Sequence, residues 1–393
     1  MKKTAVVVDF GTSKIVTLVA ESGNYNRCDI IGVGSAEYDG YMDGEWNVPE
    51  RLDHAIRASL ARAEEQSKRR IRDVYVGVPG AFSRVYVVET QVQLQGADPR
   101  VTPADVEAIF QKATETLQPV RGAIIHRSPA WFMVDDGKKT MEPVDQKGTT
   151  LRAMVCFVVA EQFFLNDVSA RLGRLGVTAR GFFSTPMGEV MHLLSPEERD
   201  RIAVLIDVGY LQTEVMASEG DALIFHKTLP IGGAHMTVDL VEGLQAPMDV
   251  CEQLKRDYIF TNADSGNEPP AQTVQGRTFT HQEVADVLEP RVDELAEMIQ
   301  DCIEHSGIHL TNYSNIYLTG GGLSMMNGGR MYLSVRLEKT VRQAQNRSTK
   351  LKLPIYASAL GLADLVFEAQ EAPGEPQGVV DRIKDFFSQL FAR

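Results

Sequence analysis

Two stretches of this chain share one grammar. Residues 4–8 are an apolar, largely β-branched run that ends in Asp9-Phe10-Gly11, turns through Thr12-Ser13-Lys14 and resumes as a second strand over 15–21. Residues 202–207 repeat it: an apolar run ends in Asp207, Gly209 follows, and after a polar stretch the chain resumes at Val215. Runs of this kind are strands buried on both faces. One such copy arises easily by chance, since a strand closing in Asp-x-Gly is common. Two copies about two hundred residues apart, each opening a half of similar size, predict a duplicated α/β fold. A chain of 393 residues is long enough for two domains, each with its own core.

Further elements follow from pattern. In the first half, helices are expected over 51–70, 102–117 and 161–175. Thr102-Pro103-Ala104-Asp105 is a good helix start and Gly176 a good stop. Strands are expected over 74–78, 85–94, 123–125, 130–134 and 154–159, so that 84–159 reads β-α-β-β-β and forms a small inserted unit. In the second half, 222–230 is a strand and Gly232-Gly233 a break. Helices are expected over 236–243, 248–258, 331–342 and 357–369. Residues 261–276 read as a polar loop. Thr280 and Glu283 make a capping box that opens a long helix to Ser306. Residues 316–318 are a buried strand entering Thr319-Gly320-Gly321-Gly322.

Composition narrows the function. Hydrophobic residues at 44% and charged residues at 24% are ordinary for a globular protein, and a net charge of -13 argues against nucleic acid as the main partner. The four cysteines, Cys28, Cys156, Cys251 and Cys302, are scattered without metal-site spacing, as in a reduced cytoplasmic protein. Lys2 and Lys3 precede an apolar run too short for a signal peptide or a membrane span, so any membrane contact is expected to be peripheral.

Such a contact is expected at the end of the chain. Residues 379–393 read as an amphipathic helix: Val379, Val380, Ile383, Phe386, Phe387, Leu390 and Phe391 recur at spacings of three and four, with Arg382, Lys384 and Arg393 off the stripe. A tether over 367–378, with Pro373, Gly374, Pro376 and Gly378, sets it apart from the body. The membrane-binding set is Val380, Arg382, Ile383, Lys384, Phe386, Phe387, Leu390 and Phe391. A helix docked on its own domain is the alternative.

Three motifs carry candidate chemistry. In Asp9 to Lys14, Gly11 lets backbone approach a phosphate, Thr12 and Ser13 add hydroxyl donors, Lys14 adds charge, and Asp9 stands where it could hold a metal through water. A plain β-hairpin turn explains the same residues. Gly320, Gly321 and Gly322 let chain lie flat against a planar ligand, or serve as a flexible turn. Glu252 and Lys255 share a helix face and either hydrogen-bond a ribose or pair with each other.

Taken in order, these motifs resemble the layout of the actin-like ATPases, in which two duplicated RNase H-like domains close on a nucleotide. Within that superfamily the chain is similar to the FtsA family, over nearly its whole length. The resemblance rests on Asp9 to Lys14, on Val74-Tyr75-Val76-Gly77-Val78-Pro79-Gly80, on Leu229 to Asp239, on Glu289-Pro290-Arg291, on Leu318 to Gly322 and on the terminal helix. It implies a first actin-like domain over 1–83 and 160–199, an inserted subdomain over 84–159, a second actin-like domain over 200–232 and 308–366, and a smaller subdomain over 233–307. It implies ATP and Mg²⁺ held by Asp9, Gly11, Thr12, Ser13, Lys14, Asp207, Gly209, Thr213, Glu252, Lys255 and Gly320 to Gly322, with Asp9 and Asp207 reaching the metal through water. It implies a scaffold that tethers FtsZ through its C-terminal peptide to anionic lipids on the inner face of the membrane at the division septum, forms filaments with its own copies, and recruits other division proteins.

One place departs from the family pattern. The second phosphate loop, normally Asp-x-Gly-Gly-Gly-Thr-Thr-Asp, is here Asp207-Val208-Gly209-Tyr210-Leu211-Gln212-Thr213-Glu214. Side chains at Tyr210 and Leu211 oppose close approach of backbone amides to phosphates. Thr185-Pro186 also stands where some relatives place Glu before Pro to position water. Both departures oppose hydrolysis, and a slow ATPase is the most that is expected. The alternatives are an FtsA-like pilus-assembly platform and a small-molecule kinase of the same superfamily, which would need an intact second loop and a catalytic base.

Overall fold

The structure is a computed structural model that describes residues 3–23, 28–117, 119–261, 269–311, 314–348 and 350–371. The expected amphipathic helix over 379–393, and the tether from residue 372 onward, lie outside the described residues.

The first half opens with β1 (Thr4–Phe10), β2 (Lys14–Ser22) and β3 (Cys28–Glu37), an antiparallel run. A short hairpin, β4 (Tyr41–Met42) with β5 (Glu45–Trp46), leads into α1 (Pro49–Ser67), which packs on β3. Then β6 (Asp73–Val78) joins the sheet parallel to β1. An excursion follows: β7 (Ser83–Gln93), α2 (Pro103–Leu117), β8 (Ala123–Val134) and β9 (Thr150–Ala160) form a separate three-stranded sheet, order β7-β9-β8, with its own core around Ile109, Phe132, Leu151 and Phe157. The chain returns through α3 (Gln162–Arg174) to β10 (Thr178–Ser184), parallel to β6.

Two helices, α4 (Thr185–Leu193) and the four-residue α5 (Pro196–Arg199), lead to the second half. It repeats the first: β11 (Ala203–Val208), β12 (Thr213–Glu219) and β13 (Ala222–Leu229) are antiparallel. After α6 (Gly233–Leu244), α7 (Met248–Asp257), the hairpin β14 (Gln272–Val274) and β15 (Arg277–Phe279), and α8 (His281–Glu304), the strands β16 (Asn315–Thr319) and β17 (Val341–Gln343), joined through α9 (Gly329–Arg336), complete the sheet, and α10 (Ala357–Glu371) closes the body. The two large sheets run β3-β2-β1-β6-β10 and β13-β12-β11-β16-β17, so each strand of one half has its counterpart in the other. The duplication expected from the two Asp-x-Gly hairpins is therefore present at the level of topology.

Local differences from the expected elements have physical causes. The segments 123–125 and 130–134 are one strand, β8, with register shifts between Ile124 and His126 and between Pro129 and Trp131. Pro129 has no N–H to donate, and the extra residues bulge out while pairing continues. The helix expected over 331–342 ends at Arg336, and Val341–Gln343 instead pairs with β16. The loop expected over 261–276 contains the β14-β15 hairpin, turning through Gln275 and Gly276 with φ of 49° and 82°, as a primed turn requires. The capping box at α8 is present: Thr280 accepts from the Glu283 amide and the Glu283 carboxylate accepts from the Thr280 amide.

The inner faces of the two sheets share a core with α4 and α10. Ala5, Val7 and Leu18 from one half and Leu205, Met216 and Tyr317 from the other pack around Met187, Val190, Leu360 and Leu362. The helices cross backbone to backbone, since a Cβ on Gly361 would lie 2.1 Å from the Gly188 carbonyl oxygen. Among the described residues, no helix is long and apolar enough to cross a membrane.

Candidate functional site

The two hairpin turns close alike. The Gly11 amide donates to the Lys14 carbonyl at 3.1 Å and the Gly209 amide to the Gln212 carbonyl at 2.9 Å. Tyr210 and Leu211 therefore sit where Thr12 and Ser13 sit in the other copy. The turns meet across the cleft. The Leu211 amide donates to Thr12 Oγ1 at 3.1 Å, and the Leu211 side chain lies against Gly40, where a Cβ would meet Leu211 Cδ1 at 3.2 Å and the Thr12 carbonyl oxygen at 2.1 Å. The amide that a glycine loop would offer a phosphate is here engaged by the opposite half. Tyr210, by contrast, is exposed.

Carboxylates gather beneath the turns. Asp9 is the penultimate residue of β1, and Asp207 stands opposite Glu214 in the β11-β12 ladder and opposite Thr319 in the β11-β16 ladder. Glu189, on α4, is buried and hydrogen-bonded to Asp207. Burial pushes Asp9 up to about 6, aided by the charge of Glu214 and resisted by the Ser358 hydroxyl, Lys14 and Thr185. Burial, then the charges of Glu214 and Asp9, raise Asp207 to about 7. Glu189 is held well above the carboxylate range by burial and by Asp207, Glu214 and Asp9, so it keeps the proton it shares with Asp207. Lys14 is lowered by burial, with Asp9 pulling the other way. Asp9 Oδ1 and Asp207 Oδ1 are buried without a hydrogen-bond partner. Crowded carboxylates with orphaned oxygens are what a cation satisfies, so this half of the site fits Mg²⁺. Among the described residues, no His, Cys, Asp and Glu cluster would chelate a metal directly.

The remaining motif residues lie behind the second turn. Gly320, with φ of 87°, covers Asp207: a Cβ there would fall 2.0 Å from Oδ1. The Gly322 amide donates to the Val208 carbonyl at 2.7 Å, and the Gly233 amide to the Gly209 carbonyl at 2.9 Å. Lys255 is buried and donates to the Gly233 carbonyl at 3.0 Å, to Thr237 Oγ1 at 2.8 Å and to Glu252 at 2.6 Å. Thr213 donates to the Ile231 carbonyl at 2.7 Å. The structure thus gathers Asp9, Gly11, Thr12, Ser13 and Lys14 with Asp207 and Gly209 at the cleft. Gly320 to Gly322, Glu252 and Lys255 buttress the second turn through Gly209 and Gly233, and Thr213 faces inward. Glu189, Glu214, Ser358 and Gly40 are site residues that motif reasoning passed over. Only Glu214 carried a local signal, as the acid that closes the second Asp-x-Gly motif.

Comparison with known proteins adds to this geometry. Residues 204–361 match the family model for FtsA, described as cell division protein FtsA, and residues 80–159 match the model for the SHS2 domain inserted in FtsA. Cell division protein FtsA of Pseudomonas aeruginosa is 25% identical over 377 residues, covering 92% of this chain and 88% of its own length. The FtsA of Bacillus subtilis is 24% identical, covering 91% and 82%, and that of Neisseria meningitidis serogroup B is 23% identical, covering 98% and 96%. Among solved structures, a chain of the PilM-PilN type IV pilus biogenesis complex superposes with a TM-score of 0.61 at 21% identity, over 91% of this chain and 97% of its own. MreB5 of Spiroplasma citri bound to ADP gives 0.56 at 11% identity, over 95% and 99%. These structures share the actin-like fold.

Proposed function

Because the chain belongs to the FtsA family of actin-like cell-division proteins, we propose that it is a membrane-associated division scaffold. It tethers FtsZ by the FtsZ C-terminal peptide to anionic lipid on the cytoplasmic side of the division septum, assembles with its own copies and recruits further division proteins. The observation that carries this reading is the inserted β7-α2-β8-β9 unit, hung on the first half between β6 and α3 and matched by the model for the domain inserted in FtsA. The tail supports the lipid contact by its pattern alone, with Val380, Ile383, Phe386, Phe387, Leu390 and Phe391 on one side and Arg382 and Lys384 off it. The likeness to a pilus-biogenesis protein is one of fold and does not redirect the reading.

Nucleotide enters as a conformational ligand. Asp9 and Asp207 would hold Mg²⁺ through water, and Gly11, Ser13 and Lys14 would meet phosphate. Bound Mg²⁺ would supply charge that neutralises the cleft carboxylates and the phosphates, and ATP between the turns would join the two halves. The second turn fits this role less well: the Leu211 amide is free for phosphate only when it leaves Thr12 Oγ1, and the Gly209 carbonyl is held by the Gly233 amide. Gly320 to Gly322, Glu252, Lys255 and Thr213 would act by setting the position of that turn. The halves already touch without a ligand, so nucleotide biases an equilibrium that protein contacts share.

The test is co-sedimentation of the full chain with phosphatidylglycerol vesicles, alone and with FtsZ, beside anisotropy with a labelled FtsZ C-terminal peptide. We expect the full chain to bring FtsZ to vesicles. A chain truncated after Gly378 should lose the vesicles and keep the peptide. A full chain that ignores the peptide would sink the scaffold reading.

A further inference from the structure

Four of the five residues from Lys68 to Arg72 are basic, in a chain of net charge -13. They follow α1, whose last residue is capped by Lys68 in the left-handed region with φ of 56°. Lys68, Arg69, Arg70 and Arg72 are exposed, while Ile71 is buried and anchors the turn. Arg69 pairs with Glu21 and Arg70 with Glu64. Among the described residues, no ion pair is recorded for Lys68 or Arg72.

The fold fixes where this turn lies. It feeds the start of β6, and β1, β6 and β10 are parallel, so their first residues share one edge of the sheet. Arg69 donates to Thr4 Oγ1 at 2.9 Å and the Thr178 amide donates to the Arg72 carbonyl at 2.8 Å, which places the turn across that edge. Arg180 adds a further exposed cation two residues into β10, paired with Asp73.

The last helix of the body ends at the same edge. α10 starts beside the cleft, where Ser358 meets Asp9 at the far end of β1. It finishes where Lys3 Nζ donates to the Gln370 carbonyl at 2.6 Å and Gln370 reaches the Tyr75 hydroxyl at 3.4 Å. The chain continues from Glu371 for 22 residues, the stretch that carries the amphipathic pattern. The tail therefore leaves the body beside Lys3, at the same sheet edge that the Lys68 to Arg72 turn crosses, and a short tether holds that edge near whatever the tail binds.

We propose that this basic edge of the first half is a second membrane contact, apposed to anionic headgroups whenever the tail is inserted; the proposal rests on the lipid-binding reading of the tail. The tail supplies buried apolar area and the edge supplies charge, the pairing of signals that peripheral anchoring requires. It also orients the body, with the nucleotide cleft at the opposite end of β1 and turned away from the bilayer.

The test uses the full chain, with flotation on vesicles of phosphatidylglycerol and phosphatidylcholine and on phosphatidylcholine alone, at low ionic strength. Lys68→Asn with Arg72→Gln removes the two cations of the turn that have no acid partner among the described residues, and Asn tolerates the left-handed cap. We expect partition onto the anionic vesicles to fall roughly 25-fold, since each of the two basic residues near such a surface contributes roughly fivefold, and binding to neutral vesicles to stay the same. Unchanged anionic partition would overturn the proposal, as would an equal loss from Lys138→Gln with Lys147→Gln on the inserted unit. Truncation after Gly378 separates the two readings. If it leaves partition intact and the Lys68→Asn, Arg72→Gln pair then abolishes it, the tail reading fails and the basic edge stands.

Discussion

The backbone amide of Leu211 donates to the hydroxyl of Thr12 at 3.1 Å and so ties the turn of one half to the turn of the other. Thr12 belongs to a motif that reads as a phosphate cradle, and Leu211 replaces a glycine of the family's second loop. The clasp and a bound phosphate compete for one donor, the Leu211 amide. Leu211→Gly removes the side chain that rests against Gly40 and lets the turn relax. We expect MgATP affinity to rise on the order of tenfold, about the free energy of one neutral hydrogen bond. Calorimetric titration decides: equal affinity in the two proteins would mean that Leu211 does not obstruct the cleft.

Stability should depend on pH through the carboxylates beneath that clasp. Asp9 and Asp207 are raised to about 6 and about 7, and Glu189 is raised further, all chiefly by burial. A raised folded-state pKa means the folded protein holds protons that the unfolded chain has lost. The resulting stability is complete below the ordinary carboxylate range and disappears as pH climbs through the folded values. Thermal melts should therefore fall between about pH 5.5 and about pH 8. Asp207→Asn should flatten the slope, and millimolar Mg²⁺ should restore part of the loss at the higher pH. A melting point that rises across this interval would contradict the assignment.

The hairpins were legible because their chemistry is local: a buried run, an acid and a glycine sit within a few residues of each other. The capping pairs at Thr102 with Asp105 and at Thr280 with Glu283 were legible for the same reason. Glu189 was not, because nothing near it in sequence marks a helical Glu that meets Asp207 only when α4 wedges between the sheets. β3 carries little strand signal although alternate residues are buried, since Gly32, Gly34 and Ser35 blur its apolar pattern. β17 begins within a helical pattern over 331–342, and its three residues pair with β16 through tertiary context alone. The actin-like plan was thus readable, while the contacts that decide what the cleft can bind were not.

The crossing of α4 and α10 has no room for a methyl group. Gly361→Ala would place Cβ 2.1 Å from the Gly188 carbonyl oxygen, and only backbone movement relieves that. We expect a loss of about 2 kcal/mol or more in urea unfolding, in the range of overpacked cores. Gly173→Ala is the matched control, because it lies in α3 with nothing within 4 Å and should be neutral or slightly stabilising. Equal effects of the two changes would mean that the helices do not meet at Gly188 and Gly361.

Lys255 tests whether the second turn is held from behind. Its ammonium is buried and shared by the Gly233 carbonyl, Thr237 and Glu252, and Gly233 in turn donates to Gly209 at the base of the turn. Burial lowers the Lys255 pKa while Glu252 opposes it, and the Glu252 carboxylate, penalised by burial, is held below its ordinary value chiefly by Lys255. Lys255→Met deletes one charge of this pair and leaves Glu252 to Arg256 and Thr237. We expect about 1 to 3 kcal/mol of lost stability, because half-buried Glu252 loses its buried cation and the Gly233 carbonyl loses a donor. Pairing the change with Glu252→Gln should recover at least about 1 kcal/mol of that, as coupled sites do. The same variant should speed amide exchange at Leu211, since a loosened Gly233 frees the turn that carries the clasp. If the two substitutions are additive and exchange at Leu211 is unchanged, Lys255 acts independently of the cleft, and its place in the nucleotide site would have to rest on direct contact with the nucleoside.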